Sequence, residues 1–198
     1  ENFAHSTDIP PLVQAALLHY QFEAIHPFLD GNGRVGRLLI TLFLIERKVL
    51  NSPLLYLSAF FEATRSEYYE KLLSVSQHGQ WNPWLEYFLN GVARMSEDAL
   101  SRAERINSLL QNWREQVFGQ KPKILFEVIG LLAENPYLTI KKIAERLNVA
   151  YTTVQRAINV LQENHIILQT DKAERDRVFC ANDILNILNE EPQMLAGA

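Results

Sequence analysis

A single cysteine, Cys180, stands in the 198 residues. One thiol cannot close an internal disulfide, and no Cys and His fall at zinc-ligand spacing, which excludes a disulfide-stapled scaffold and points to a reducing compartment. The chain also lacks an apolar run long enough to span a bilayer. Its longest, Leu38 to Ile45, is interrupted by Thr41 and closed by Glu46, Arg47 and Lys48. An excess of positive charge is missing too: 19 Lys and Arg stand against 23 Asp and Glu, a formal net charge of −4. That balance argues against a surface coated for nonspecific nucleic-acid or membrane binding and leaves room only for a local basic face. No internal repeat or low-complexity tract occurs. What remains is an ordinary globular chain, 47% apolar, able to bury one large core or two small ones, with the cytoplasm as its default location. The chain opens on Glu1 rather than Met, as a fragment would, so the lack of a leader at residue 1 proves nothing.

Helical periodicity dominates what is there. From Pro11 the segment PLVQAALLHYQFEAI recurs apolar at helical spacing and ends at His26-Pro27, with two prolines at its start where a missing N–H is tolerated. Arg34 to Lys48 reads as a second helix, apolar on nearly every side and therefore expected deep in a core. Further helices are expected over Leu57 to Ser76 and Trp81 to Val117, closed by Gly79 and Gly119. Strand alternation is absent before residue 120. The stretch FGQKPK, residues 118 to 123, has the composition of a linker, so the expected division is 1–118 and 119–198. Beyond it come three short helices: Lys123 to Ala133, IKKIAERL capped by Thr139, and Tyr151 to Glu163. Two β-rich runs follow, Ile166 to Thr170 and Arg177 to Cys180, around a charged turn. Residues 121–182 resemble a winged helix-turn-helix domain, with the Tyr151 helix in the recognition position.

The stretch HPFLDGNGRVGRLL, His26 to Leu39, lies between the first two helices. Asp30 is a hard oxygen donor that could hold magnesium together with substrate phosphates, or could cap a helix. Gly31, Asn32 and Gly33 permit a tight turn with exposed N–H groups ahead of a helix whose N-terminus favours an anion, and phosphate is the obvious guest. Arg34 and Arg37, three apart, share a helical face and can turn both guanidinium forks toward that anion. His26 is either a general base for a hydroxyl or a structural histidine, since an ordinary imidazole is largely neutral at neutral pH. Each residue alone has a plainer reading as turn, cap or solvated charge.

Together they spell H-x-F-x-D-G-N-G-R-x-x-R, the signature of the Fic family, whose members mostly transfer AMP from ATP to a protein hydroxyl. Its eight specified positions would coincide by chance with a probability on the order of 10⁻⁸ if residues were equally frequent. The resemblance covers roughly residues 1 to 117, so the expected architecture is mainly α: a helical Fic-like core followed by a small winged helix-turn-helix domain. It implies a protein adenylyltransferase with His26 as the base, Asp30 as the Mg²⁺ ligand and Gly31, Asn32 and Gly33 as the anion hole. Arg34 and Arg37 would hold the outer phosphates of ATP, and Phe28 would be a core anchor. The resemblance also implies a target-docking β-hairpin flap ahead of the first helix. Only ten residues precede Pro11, so the flap is expected upstream. The family's inhibitory pattern [S/T]-x-x-x-E-[G/N] finds no match: Glu163-Asn164 has Asn159 four before it, and Glu134-Asn135 has Gly130.

A different class of function competes with the enzyme. The winged helix could make the chain a nucleotide-sensing transcriptional regulator, or could serve as a docking module for a protein target or a second copy. Arg156 is the only positive charge from Tyr151 to Glu163, which is meagre for reading DNA. Lys141, Lys142, Arg146, Lys172, Arg175 and Arg177 could add backbone contacts, against Glu145, Asp171, Glu174 and Asp176. A sensor would not need His26, whereas a transferase would.

Overall fold

The computed structural model describes residues 3, 8–53, 55–119, 122–170 and 177–192. They form a mainly α chain in the order α1 (Pro11–Ile25), α2 (Asn32–Glu46), α3 (Leu57–Ala63), α4 (Arg65–His78), α5 (Trp81–Gln116), α6 (Pro122–Glu134), β1 (Tyr137–Thr139), α7 (Ile140–Leu147), α8 (Tyr151–Glu163), β2 (Leu168–Gln169), β3 (Val178–Cys180) and α9 (Asn182–Asn189). Packing divides the chain into two compact units between Leu100 and Ser101. The linker composition placed that division at 118/119. The difference arises in the second half of α5, where Leu110, Trp113 and Val117 are buried in the core of the second unit.

In the first unit α1 packs chiefly on α2. Ala15, Ala16 and His19 of α1 face Ile40, Phe43 and Leu44 of α2 in a core completed by Phe60, Phe61, Tyr68, Trp84 and Phe88. Gly36 sets the close approach of the two helices, because a Cβ there would stand 2.5 Å from Glu23 Oε1 and 3.1 Å from the Phe22 ring. The Trp84 indole N–H donates to the carbonyl of Ala16 at 3.1 Å, so the largest buried side chain is satisfied at its polar edge.

Two elements differ from what periodicity predicts. Helix α2 buries one face only: Leu38 and Leu42 are 56% and 54% exposed, because the buried set Asn32, Gly36, Ile40, Phe43 and Leu44 follows a single stripe against α1 and the aromatic cluster. The single helix expected from Leu57 to Ser76 is broken at Thr64. Its hydroxyl donates back to the Phe60 carbonyl at 2.7 Å and meets the Tyr87 hydroxyl at 2.7 Å, a local competitor for helical bonding that separates α3 from α4. Gly79, at φ 65°, closes α4 by returning its N–H to Val75.

The second unit is a helix-turn-helix with a three-stranded antiparallel sheet, order β1-β3-β2. Thr139 caps α7 by accepting from the Lys142 N–H, and Asn148, at φ 52°, makes the turn into α8. Val154, Ala157, Ile158 and Leu161 bury one face of α8. Tyr137 pairs with Cys180, Leu138 with Phe179, and Leu168 with Cys180 on the other side. Strand β1 was not legible in the sequence, and Ile166 and Ile167, expected within the first wing strand, are core residues ahead of β2. The wing turn, with Lys172, Arg175, Asp171, Glu174 and Asp176, lies outside the described residues.

Candidate active site

His26 terminates α1 in the left-handed conformation, φ 50° and ψ 58°, its N–H returned to the Phe22 carbonyl at 3.0 Å. Its imidazole is exposed, with Nδ1 at 3.3 Å from the carbonyl of Glu23 and 3.9 Å from Glu23 Oε2. With Nδ1 facing two oxygens, the proton belongs on Nδ1 and the lone pair of Nε2 is left for another partner.

The loop after His26 is held by Asn32, which is 2% exposed. Its Oδ1 accepts from the Phe28 N–H at 2.9 Å and its Nδ2 donates to the Phe28 carbonyl at 2.6 Å. Phe28 is therefore anchored through its backbone. Its ring, 51% exposed and 6.2 Å from that of Phe22, is not the core anchor that the family resemblance implied. Asp30 Oδ1 accepts from the Gly31 N–H at 2.7 Å, and Oδ2 lies 3.8 Å from Arg34 in an exposed pair. Gly31, at φ 80°, is the N-cap position of α2, a conformation that L side chains adopt at a cost, and it carries no side chain to cap the helix. The first-turn amides of α2, beginning at Asn32 and Gly33, accordingly form an anion-attracting end.

Arg34 is exposed and Arg37 half-buried. Arg37 passes beneath the turn, 3.1 Å from where a Cβ on Gly33 would be. The structure thus brings Asp30, Gly31, Asn32, Gly33, Arg34 and Arg37 into a single turn and helix start next to the end of α1 that carries His26. Two cavities open on these residues. One of about 370 Å³ is mostly apolar and lined by Tyr20, Glu23, Ala24, His26, Tyr69 and Leu72; the other, about 340 Å³, is lined by Arg34, Arg37, Leu38, Thr41, Tyr56 and Ser58. Among the described residues no three His, Cys, Asp or Glu cluster as a metal site, and no helix is long and apolar enough to cross a membrane.

Behind the turn lies a polar seam that reading the motif alone missed. His19, Glu23 and His26 recur at i, i+4 and i+7 on one face of α1. His19 is fully buried, its Nε2 2.9 Å from the Tyr68 hydroxyl and its ring stacked on Phe61. Burial pushes its pKa down to about 4, with the Gly36 backbone opposing and Arg37 reinforcing the drop. Burial raises the Glu23 carboxyl above the usual range, and His26 and Arg37 oppose that rise. Tyr87 is pushed up to about 12 by burial, against its hydrogen bond with Thr64.

Residues 1–44 match the model of the Fic/DOC family, and residues 122–167 match that of winged helix-turn-helix DNA-binding domains. The chain is thus similar to the Fic/DOC family at its N-terminal end and to winged helix-turn-helix domains in its C-terminal part. Among the proteins similar to this chain, the protein adenylyltransferase fic-1 of Caenorhabditis briggsae is 32% identical over 117 residues, 59% of this chain and 20% of that protein. Its Caenorhabditis elegans counterpart is 37% identical over 94 residues, 48% of this chain and 16% of that protein. The chain thus spans a fifth or less of these curated relatives. A solved Fic family protein from Desulfovibrio desulfuricans is similar with a TM-score of 0.49 and 23% identity, over 91% of this chain and 52% of that one. On the second unit, α8 presents Tyr151, Thr152, Thr153, Arg156 and Asn159 to solvent, with Lys141 and Lys142 exposed on α7. Arg146 is paired with Glu134, and Arg177 donates to Gln155 while lying over the Phe179 ring.

Proposed function

We propose that the Fic segment transfers AMP from ATP to a Ser, Thr or Tyr hydroxyl of a target protein. The observation that carries this reading is the uncapped start of α2, with Arg34 and Arg37 beside it and His26 at the facing end of α1. The amides after Gly31 suit the phosphate that is transferred, and the two arginines suit the outer phosphates, whose charge they would neutralise. Of the two cavities, the arginine-lined one suits the charged end of a nucleotide and the apolar one, with Tyr20 and Tyr69, suits its base.

In the reaction the target's hydroxyl oxygen forms a bond to the α-phosphorus. The bond from that phosphorus to the bridging oxygen breaks, and pyrophosphate leaves with the electron pair. The hydroxyl proton passes to Nε2 of His26, the ring nitrogen for which neither Glu23 oxygen competes. Asp30 offers one solvent-facing carboxylate oxygen, and a single carboxylate fits magnesium that takes its other ligands from nucleotide phosphates and water. When bound, the ion would offset phosphate charge. The relatives' printed activity supports transfer of an adenylyl group as the coarse class.

Mass spectrometry of proteins incubated with the full-length protein and ATP tests this reading. AMP adducts on hydroxyl side chains, lost with His26→Ala, are expected; adducts that persist without His26 would overturn it. The winged helix-turn-helix match favours a second role, docking on DNA or on a protein partner through 121–182. A DNA role predicts binding that survives His26→Ala and weakens when Arg156 is replaced, measured by fluorescence anisotropy.

A further inference from the structure

Glu23 is an unusual residue to find between two helices. Its side chain is 12% exposed, and Oε1 is fully buried without a hydrogen-bond partner. A buried carboxylate with an unmet oxygen costs stability unless something else requires it. The α2 backbone has been cleared to admit it, since a Cβ on Gly36 would stand 2.5 Å from Oε1. Its other oxygen points the opposite way, to His26 Nδ1 at 3.9 Å, on the same ring nitrogen that faces the Glu23 carbonyl. Arg37, next in sequence to Gly36, acts on the same carboxyl.

We propose that Glu23 is a positioning residue for the transfer reaction: its carboxylate, seated against Gly36, fixes the His26 ring with Nδ1 protonated and Nε2 turned outward. It acts through His26 and not on the reacting atoms, although it also lines the apolar cavity beside that ring. The backbone carbonyl at 3.3 Å makes a long hydrogen bond on an exposed ring, and the carboxylate at 3.9 Å adds a Coulombic pull on the Nδ1 proton that the carbonyl alone lacks. A third group that orients the base is a recurrent requirement of proton-transfer sites, and the wrong tautomer leaves the base without a lone pair facing its substrate.

The inference rests on His26 being the base, so its test reads the ring independently of the reaction. In the full-length protein, Glu23→Gln keeps the volume and removes the charge. Long-range proton–nitrogen NMR spectra of His26 should then show loss of the single Nδ1-protonated tautomer. Turnover should fall by at least about tenfold with the KM for ATP within about twofold. Gly36→Ala, which must displace Oε1, should change the His26 spectrum in the same way while the charge is retained. An unchanged His26 spectrum in folded Glu23→Gln protein, whatever its turnover, would overturn the proposal and leave Glu23 a packing residue. A changed spectrum in a protein whose AMP transfer does not depend on His26 would support the positioning role and remove the proposed reaction instead.

Discussion

His26 sits at φ 50°, a conformation that glycine adopts freely and that costs a histidine roughly 1 kcal/mol. Replacing it by Gly should therefore raise thermal stability by up to about 1 kcal/mol while turnover falls by roughly 10²-fold or more. A Gly variant that is both less stable and active would contradict both assignments. Asn32 behaves oppositely. Its buried amide closes two hydrogen bonds on the Phe28 backbone, so Asn32→Ala should cost about 2 kcal/mol in a urea melt and weaken ATP binding by distorting the turn. Arg34→Ala should leave stability unchanged and weaken nucleotide binding, because its proposed contacts precede the reaction. These residues were legible because a turn is local: Asp30 to Gly33 define it by their own backbone preferences. Glu23 and His19 were not, since what makes them unusual is supplied by Gly36, Arg37 and Tyr68 from other elements. Their spacing to His26 along one face of α1 was the available signal.

At the scale of elements, the α1–α2 pair carries a pH dependence. His19 in the folded protein titrates at about 4, below the ordinary histidine value near 6.5, so the unfolded chain binds the extra proton first. Its neutral form supports folding fully above about pH 6.5, and that support is lost as pH falls toward 4, by up to about 3 kcal/mol. Glu23, raised by burial, works with the opposite sign in acid. The urea midpoint should thus fall between pH 7 and pH 4 more steeply in the native chain than in His19→Gln, and equal slopes would contradict the neutral buried imidazole. Most helices were legible from periodicity, including α8 and the Thr139 cap. The break at Thr64 was missed because it depends on a hydroxyl that also meets Tyr87 of α5. Helix α9 escaped notice although Ile184 and Ile187 already stand at helical spacing after Asn182.

For the whole molecule, the boundary set by packing differs from the one set by composition. Gly and Pro at 118–123 mark where the chain turns, whereas Leu110, Trp113 and Val117 show where the second core begins. A fragment of residues 101–198 should melt cooperatively and well above one of residues 119–198, which forfeits three buried side chains worth about 1.5–3 kcal/mol each. Equal melting by circular dichroism would show those residues to be dispensable. The central claim concerns which phosphorus of ATP the target's hydroxyl attacks. Full-length protein incubated with its targets and ATP labelled at either the α- or the γ-phosphate distinguishes the outcomes on one denaturing gel. The account predicts that protein bands take up the α-label alone, with pyrophosphate released and both signals absent in His26→Ala. Uptake of the γ-label, or α-labelling indifferent to His26, would contradict it.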